Sequence, residues 1–587
     1  MDPSISDHIA LLLPSDAYSD SKKTKSFWRW WNQLSRFQRS LIYMFVIAVL
    51  FTILYFLPGN SENVVFDSER PEANAIKKDV LSNIRNDPRE VENDFNEIEN
   101  ENQVLEEPAE VQIDDINNSK HVLARPSIGI QFPSPSGERQ LAVVEAFRHA
   151  WKGYKRFAWG HDHLKPISES YHDWFGLGLT IVDSLDTMYM MGLKKEFSES
   201  REWVEAHLHF DKNRDVNLFE VTIRVLGGLL STFHLSGDKM FLNKAVDLAD
   251  RLLPCFETPT GIPYSDINLF TSKAHAPKWS PDSSTSEVTT IQLEFKDLSR
   301  STGIPKYEEA VSKVAHHIHT LEKKDGLVPI FINANSGQFR MHSTITLGAR
   351  GDSYYEYLLK QWIQTGKTVD YLRDDYIEGI SGVQKHLAER TVPNGYLFIG
   401  ELLVGGKDFK PKMDHLTCYL PGTLVLGVHH GMPESHMKLA EELLNTCYQT
   451  YAQQPTFLAP EITYFNIHGE NSNDIYVKTN DAHNLLRPEF IESLWYMYQL
   501  TKNTTYQEWG WNIFQAFEKY TKVVNGYTSI GNVRNTANVR PKDVMESFFL
   551  SETLKYLYLL FSSNPKLLDI DKYVVNSEAH PLPIYSS

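Results

Sequence analysis

The spacing of apolar residues predicts helices over most of the chain after Gln140. From Ala142 to Tyr154 apolar residues recur three and four positions apart, which is the period of one face of an α-helix. The same period returns in stretches such as SYYEYLLKQWIQTG, PEFIESLWYMYQLTKN and MESFFLSETLKYLYLLF. Strand-like alternation occurs only in short pieces such as Gly326–Ile332. The pattern therefore predicts an all-α domain.

An acidic residue stands near the start of each of six strongly apolar helical segments. These markers are Glu220, Glu287, Asp352, Asp414, Glu489 and Glu546. Successive markers are about 57–75 residues apart, the length of one helical hairpin with its connections. Helices that are apolar nearly all round are buried ones. Hairpins in series, each with one buried and one amphipathic helix, predict an α/α barrel, with an open solenoid as the alternative.

The N-terminal region contains an uncharged apolar run. Leu41–Leu57 has 17 residues without a charge, near the minimum that crosses a bilayer. Six Lys and Arg residues lie between positions 22 and 39, and none follows the run until Arg70. This asymmetry predicts a type II anchor, with a cytosolic tail at 1–40, a transmembrane helix at 41–57 and a lumenal remainder. A cleaved signal peptide fits poorly because 40 residues precede the run.

Residues 58–139 have the composition of a disordered stem. Between Glu90 and Asp115 there are eleven acidic residues and no basic ones, with few large apolar groups to bury. The folded, catalytic part is therefore assigned to 140–587. Two Asn-x-Ser/Thr sequons, at Asn117 and Asn503, predict N-glycosylation and fit a lumenal location.

Charge and cysteine content limit the possible partners. The net charge of −17 argues against nucleic acid, whose phosphates need a basic surface, and is compatible with a bound cation. The three cysteines, at 255, 418 and 447, form no Cys-x-x-Cys pair, which argues against a structural zinc site. In an oxidising compartment they allow one disulfide and one free thiol.

Three of the acidic residues have local sequences suited to acid–base chemistry. Glu220 lies between Phe219 and Val221 on a predicted buried helix, where apolar surroundings would raise its pKa and let it hold a proton. Glu489 follows Pro488 at a predicted helix start, where the helix dipole favours the ionised form required of a base. Asp352 is a third polar residue at a helix start.

Such acids usually only cap helices. Their recurrence at the same end of successive buried helices would, however, bring them together at one mouth of a barrel. Two carboxylates on either side of a sugar bond are what glycoside hydrolysis requires. The residues thus favour a glycoside hydrolase over a protein with structural carboxylates alone.

Long motifs between Ala142 and Ile584 resemble the class I α-1,2-mannosidases, glycoside hydrolase family 47. They include WFGLGLTIVDSLDTMYMMGL, FEVTIRVLGGLL, DHLTCYLPGTL, HNLLRPEFIESLWYMY, ESFFLSETLKYLYLLF and SEAHPLPI, in order and without large gaps. The resemblance implies an (αα)7 barrel, dependence on Ca²⁺, and hydrolysis of mannose from high-mannose N-glycans with inversion at the anomeric carbon.

The resemblance also implies roles for individual residues. Glu220 matches the proposed general acid, Glu489 the general base, and Asp352 a third essential carboxylate sometimes considered for the acid. Cys418 and Cys447 match the family's disulfide, which leaves Cys255 free. The positions that contact substrate or order calcium-bound water are Arg224, Glu287, Arg350, Arg487, Phe548, Glu552 and Glu578.

Two positions depart from the family pattern. The family motif Asn-Thr-Glu-Ala-His-Pro binds calcium through its Thr, and here that position is Ser577. Serine keeps both oxygens but loses the branching that stiffens the Thr rotamer, so we expect calcium binding to survive with lower affinity. His163 stands where the family usually has Glu. It is distant in sequence from the implied site, and we expect little effect.

Arg350 bears on specificity, because ER-type members of the family carry Arg there and Golgi members a smaller apolar residue. It predicts removal of one middle-branch mannose from the nine-mannose glycan, in the endoplasmic reticulum membrane. Two alternatives are a Golgi-type enzyme that trims to five mannoses and a non-catalytic mannose-binding lectin of glycoprotein quality control. The lectin would be favoured by loss of any of the three carboxylates, and all three are present.

Overall fold

The structure, a computed structural model, describes residues 129–469 and 472–585. The predicted anchor at 41–57, most of the predicted stem at 58–139 and the sequon at Asn117 lie outside these residues. The second sequon lies within them, and Asn503 is exposed on the surface.

Seven buried helical segments form an inner ring. Most are apolar over nearly their whole circumference, as the sequence pattern indicated. They are Leu179–Met190, Leu218–Ser236, Thr285–Thr289 with Gln292–Thr302, Asp352–Gln364, Leu420–His429, Glu489–Thr501, and Phe549–Thr553 with Leu554–Leu560. The segment Leu218–Ser236 is long and apolar enough to cross a membrane, but most of it is buried inside the protein, so its composition is that of a core helix.

Seven amphipathic helices surround this ring. Six of them pack on the inner helix that precedes them in sequence, and the first, Glu138–Phe157, packs on the last inner helix, Leu554–Leu560. Their apolar faces lie against the inner ring and their charged faces are exposed. They are Glu138–Phe157, Lys194–His207, Lys239–Leu252, Lys306–Thr320, Asp370–His386, Ser435–Ala452 and Thr505–Tyr520.

The inner ring is closed. Each inner helix contacts the next one in sequence, and the last, at Phe549–Thr553, contacts the first, at Leu179–Met190. An open solenoid would leave these two ends apart. The structure therefore confirms the predicted all-α barrel, in which seven inner segments pair with seven outer helices within residues 129–469 and 472–585.

Short antiparallel hairpins connect the helices, and every pairing between the named strands is antiparallel. The strands are His163–Lys165, Ser170–His172, Asp215–Asn217, Asp266–Asn268, Lys273–His275, Ser283–Ser284, Phe331–Ile332, Ala388–Arg390, Leu397–Ile399, Glu401–Leu403, Asp408–Lys410, Lys412–Asp414, Ile462–Phe465, Ile475–Tyr476, Lys522–Val523, Gly526–Tyr527, Tyr573–Val575 and Pro581–Pro583.

The last of these hairpins lies inside the barrel. Tyr573–Val575 pairs with Pro581–Pro583, with Val575 opposite Pro581, and the hairpin packs against three inner helices. Just beyond it, the Tyr585 N–H donates to Gln364 O (2.9 Å) at the C-terminal end of an inner helix. The turn of the hairpin, which carries Ser577, therefore points toward the N-terminal ends of the inner helices. We call this element the plug hairpin.

A disulfide joins Cys418 to Cys447, with Cα atoms 6.0 Å apart, and Cys255 is a buried free thiol. The bond connects the start of an inner helix to the outer helix of the same hairpin. This confirms the pairing that the family resemblance implied.

Candidate active site

Glu220 lies at the start of the inner helix Leu218–Ser236. The Oδ1 atom of Asn217 accepts a hydrogen bond from the Glu220 N–H (3.0 Å) and caps the helix. The carboxylate accepts a hydrogen bond from Arg224 Nε (3.0 Å). The predicted apolar surroundings are therefore wrong for this residue, because a guanidinium one helical turn away stabilises its negative charge.

Glu489 is the first residue of its helix, as predicted, and Pro488 precedes it. Its Oε2 atom is 3.0 Å from His415 Nδ1, and its Oε1 atom is 3.6 Å from Arg487 Nη1. The helix N-terminus and the Arg487 charge both favour a carboxylate here. Glu489 thus lies between an imidazole and a guanidinium at the start of its helix.

His415 is fixed from its other side by Tyr451, whose hydroxyl is 2.7 Å from His415 Nε2. Burial raises the pKa of Tyr451 well above its usual value, so the hydroxyl keeps its proton and can donate it. A neutral His415 that accepts at Nε2 donates from Nδ1 to Glu489. We assign that tautomer from the hydrogen-bond network.

Asp352 begins the inner helix Asp352–Gln364, and its main-chain carbonyl accepts a hydrogen bond from the Tyr419 hydroxyl (2.7 Å). Burial raises the pKa of its carboxyl group to about 7, and nearby carboxylates, among them Glu489, act in the same direction. Asp352 therefore holds a proton near neutral pH and lies close enough to Glu489 to sense its charge.

The ring of Phe548 lies near both Arg224, the partner of Glu220, and Arg487, the neighbour of Glu489. The guanidinium carbons of Arg224 and Arg487 lie 5.8 Å and 6.0 Å from the centre of its ring. Arg224 belongs to the Glu220 side and Arg487 to the Glu489 side. The N-terminal ends of these inner helices thus meet at one mouth of the barrel, as the recurring acidic residues predicted.

Further carboxylates surround Arg224. It forms a close ion pair with Glu578 on the plug hairpin and lies 3.8 Å from Asp183. Burial raises the pKa of Glu552 well above its usual value, and repulsion by Glu578 adds to the effect. Burial also raises the pKa of Glu578, against the opposing effect of Arg224. Negative groups outnumber the single guanidinium, so this part of the site favours a cation.

The buried carboxyl group of Glu294 helps to hold the turn of the plug hairpin. Glu294 Oε1 accepts hydrogen bonds from Tyr357 Oη (3.0 Å) and Asn576 Nδ2 (2.7 Å), and the Ser577 N–H donates to Tyr357 Oη (3.0 Å). Among residues 129–469 and 472–585 the Ser577 hydroxyl has no hydrogen-bond partner. Its two oxygens and the neighbouring carboxylates are the hard donors that Ca²⁺ prefers, so the residues present fit this ion.

Arg350 lies at the rim of the mouth. Its Nη1 atom donates to Ser284 Oγ (2.9 Å) and lies 3.7 Å from Glu287 Oε1, and its guanidinium stacks 4.1 Å from the centre of the partly exposed Trp279 ring. Asn217 Nδ2 is 3.4 Å from Glu287 Oε2 and so links this group to the helix of Glu220. All the site residues implied by sequence thus belong to one connected region.

Irregular backbone marks the same region. Thr222–Leu226, which contains Arg224, and Phe549–Thr553, which contains Glu552, are π-helical. Arg350 has φ 75°, and Leu486, before Arg487, has φ 64°. Such conformations cost free energy for residues other than glycine and concentrate at functional sites. Nothing in the local sequence indicated them.

Some partners of the site residues have no signal in the local sequence. Glu461, which binds Arg487 with both oxygens (2.5–3.0 Å), lies outside the quoted motifs, and His415 lies within DHLTCYLPGTL but had no predicted role. His163 is distant from the implied site residues in sequence, but its Nε2 atom is 3.7 Å from Glu546 Oε2, next to Ser547, which contacts Arg224. Its distance from the site in sequence is therefore no guide to its distance in space.

Comparison with known proteins identifies the family of this chain. The model of glycosyl hydrolase family 47 matches residues 146–584. The chain belongs to this family. The match confirms the resemblance seen in the motifs and makes the protein a glycoside hydrolase.

The sequences of two mammalian relatives align with nearly the whole chain. The endoplasmic reticulum mannosyl-oligosaccharide 1,2-alpha-mannosidase of Rattus norvegicus is 48% identical, with 97% of this chain and 96% of the relative covered. The protein of the same name from Homo sapiens is 47% identical, with 97% and 91% covered. Among solved structures, alpha-1,2-mannosidase from Trichoderma reesei is similar, with a TM-score of 0.72 and 27% identity over 77% of this chain and 100% of that one.

Proposed function

We propose that this protein hydrolyses terminal α-1,2-linked mannose from high-mannose N-glycans on glycoproteins, with inversion at the anomeric carbon. The observation that carries the proposal is the meeting of two carboxyl groups at one barrel mouth: Asp352, whose pKa burial raises to about 7, and Glu489, which lies beside His415 and Arg487. Inverting hydrolysis needs this pair, because one carboxyl group protonates the departing oxygen while the other activates water. The names of the relatives supply the substrate class.

Three carboxyl groups, those of Glu489, Asp352 and Glu220, have different roles in the reaction. Glu489, oriented by His415 and Arg487, accepts a proton from the attacking water. Asp352 donates its proton to the glycosidic oxygen, since its raised pKa keeps it protonated near neutral pH. Glu220, paired with Arg224, keeps negative charge beside the developing oxocarbenium ion. This assignment moves the acid role from Glu220, which the family resemblance favoured, to Asp352.

Ca²⁺ would be held at Ser577, with Glu552 and Glu578 ordering its water. When bound, it supplies positive charge and a binding site for hydroxyl groups of the terminal mannose. The chain's own contribution is the plug hairpin, whose turn is fixed by Tyr357 and Glu294. The names of the relatives favour the endoplasmic reticulum, and the uncharged apolar run at 41–57 would be the membrane anchor.

The assignment of the acid predicts a pH dependence. Above pH about 7 Asp352 loses its proton, so kcat/KM is expected to fall about tenfold per pH unit. Asp352→Asn removes the donor, lowers kcat by about 10²- to 10⁴-fold and abolishes this alkaline limb. Glu220→Gln is the comparison variant. Its kcat/KM should be lower at every pH but should still fall above pH about 7. Loss of the limb in Glu220→Gln with its retention in Asp352→Asn would return the acid role to Glu220.

Product analysis separates the ER-type reaction from the Golgi-type alternative. A time course on the nine-mannose glycan is expected to stop mainly at eight mannoses, because the stacked and hydrogen-bonded Arg350 restricts how branches enter the mouth. Arg350→Leu is expected to release further mannoses, whereas Arg373→Leu on an outer helix is a control that should not. Rapid progress of the unmodified protein to five mannoses would contradict the ER-type assignment.

A further inference from the structure

Three potential metal ligands meet at the end of the barrel away from the candidate active site. His429 is the last residue of the inner helix Leu420–His429, and His430 follows it. Asp571 lies two residues before the first strand of the plug hairpin. One ring nitrogen of each histidine and one carboxylate oxygen of Asp571 all lie within 4.8 Å of one another. We call this group the His429–His430–Asp571 cluster.

The contacts within the cluster leave one histidine unused. His429 Nε2 is 2.7 Å from Asp571 Oδ1, which is an ordinary His–Asp hydrogen bond. In the parts of the chain that the structure describes, neither ring nitrogen of His430 has a hydrogen-bond partner, and Nε2 is shielded from solvent. A shielded imidazole nitrogen without a partner is uncommon and calls for an explanation such as a bound ion.

The end of the inner helix also suits a cation. His429 is the last residue of Leu420–His429, where the negative end of the helix dipole lies.

We propose that the His429–His430–Asp571 cluster is a binding site for a divalent transition metal, with Zn²⁺ as its best-fitting ion. Two imidazoles and a carboxylate are ligands that zinc accepts, with water in the fourth position, whereas Ca²⁺ requires oxygen ligands. Ligand atoms in a tetrahedral zinc site lie about 3.4 Å apart. His429 and Asp571 are both exposed, so their side chains have room to rotate from the present spacing of within 4.8 Å toward that value.

The site would connect two parts of the fold. His429 and His430 end an inner helix, and Asp571 precedes the strand Tyr573–Val575 of the plug hairpin. A metal ion shared between them cross-links the base of the plug hairpin to the barrel wall. Since only the folded chain brings the three ligands together, zinc should raise the thermal stability of the protein.

The test uses the full chain with calcium in excess, so that oxygen-ligand sites are occupied. Zn²⁺ is titrated in competition with a chromophoric chelator at pH 7.5, and binding of one ion with a dissociation constant below about 10 μM is expected. His430→Gln and Asp571→Asn should each weaken it at least about tenfold. His316→Gln, an exposed histidine on an outer helix, is the matched control and should bind like the unmodified protein.

Two further measurements make the outcome decisive. Co²⁺ in place of zinc should give visible absorption bands in the unmodified chain and in His316→Gln, but not in the two cluster variants. Zinc should raise the melting temperature of the unmodified chain and of His316→Gln, but not that of His430→Gln or Asp571→Asn. Mannose hydrolysis by the variants, measured in calcium, reports that they are folded. Zinc affinity equal in all four proteins, or no binding by the unmodified chain, would overturn the proposal.

Discussion

Glu489→Gln is expected to lower kcat for the nine-mannose glycan by about 10²- to 10⁴-fold, with little change in KM. Glutamine has nearly the same shape, so the helix start and the contact with His415 can persist. What is lost is the negative charge that accepts the proton from water. Because this group acts mainly in the transition state, its loss lowers kcat and kcat/KM together.

The measurement compares initial rates of mannose release, with circular dichroism and melting temperature as checks of folding. Glu309→Gln makes the same chemical change at an exposed position on the outer helix Lys306–Thr320 and should leave the rate unchanged. His415→Gln should give a smaller loss than Glu489→Gln, since it removes the orientation of the base but not the base. A Glu489→Gln protein that keeps its full rate would contradict the assignment.

The sequence was sufficient to predict the barrel because its signals are local. An inner helix is apolar all round and an outer helix on one face only, so the two types can be told apart within a dozen residues. The acidic residues in the first turns of four inner helices, Glu220, Glu287, Asp352 and Glu489, could also be predicted from local sequence. When the hairpins close into a ring, Glu220, Asp352 and Glu489 meet without any further information.

The surroundings of these carboxylates could not be predicted in this way. Arg224 and Glu578 are separated by more than 350 positions in sequence and form an ion pair only because the plug hairpin enters the barrel. The partnership of His415 and Glu489 likewise joins different hairpins. As a result, local reasoning could not identify Asp352 as the carboxyl group whose pKa burial raises to about 7 in the completed fold.

The plug hairpin also explains why so many acids are tolerated together. Glu552 and Glu578 are buried near the guanidinium of Arg224, and burial raises the pKa of both. Burying such charge is costly unless a cation neutralises it. The arrangement is therefore better understood as one part of a cation site than as a stabilising ion-pair network.

Chelation of calcium is expected to lower hydrolysis at least about 100-fold and to lower the melting temperature, both reversed by added Ca²⁺. Without the ion, the Ser577 oxygens lose their partner and the surrounding carboxylates repel one another. Ser577→Ala removes one ligand oxygen and should raise the calcium concentration needed for half-maximal rate by about 10-fold or more. Ser577→Thr should lower it, since a branched side chain holds the hydroxyl in fewer rotamers.

The control is Ser563→Ala, an exposed serine distant from the plug turn, which should have the calcium dependence of the unmodified protein. Calorimetric titration of chelated protein separates affinity from rate. Ser577→Thr and Ser577→Ala should shift the dissociation constant in opposite directions. If both leave it unchanged, calcium is held elsewhere. If the chelated protein retains its full rate, Arg224 alone balances the acids and the cation site is not part of the reaction.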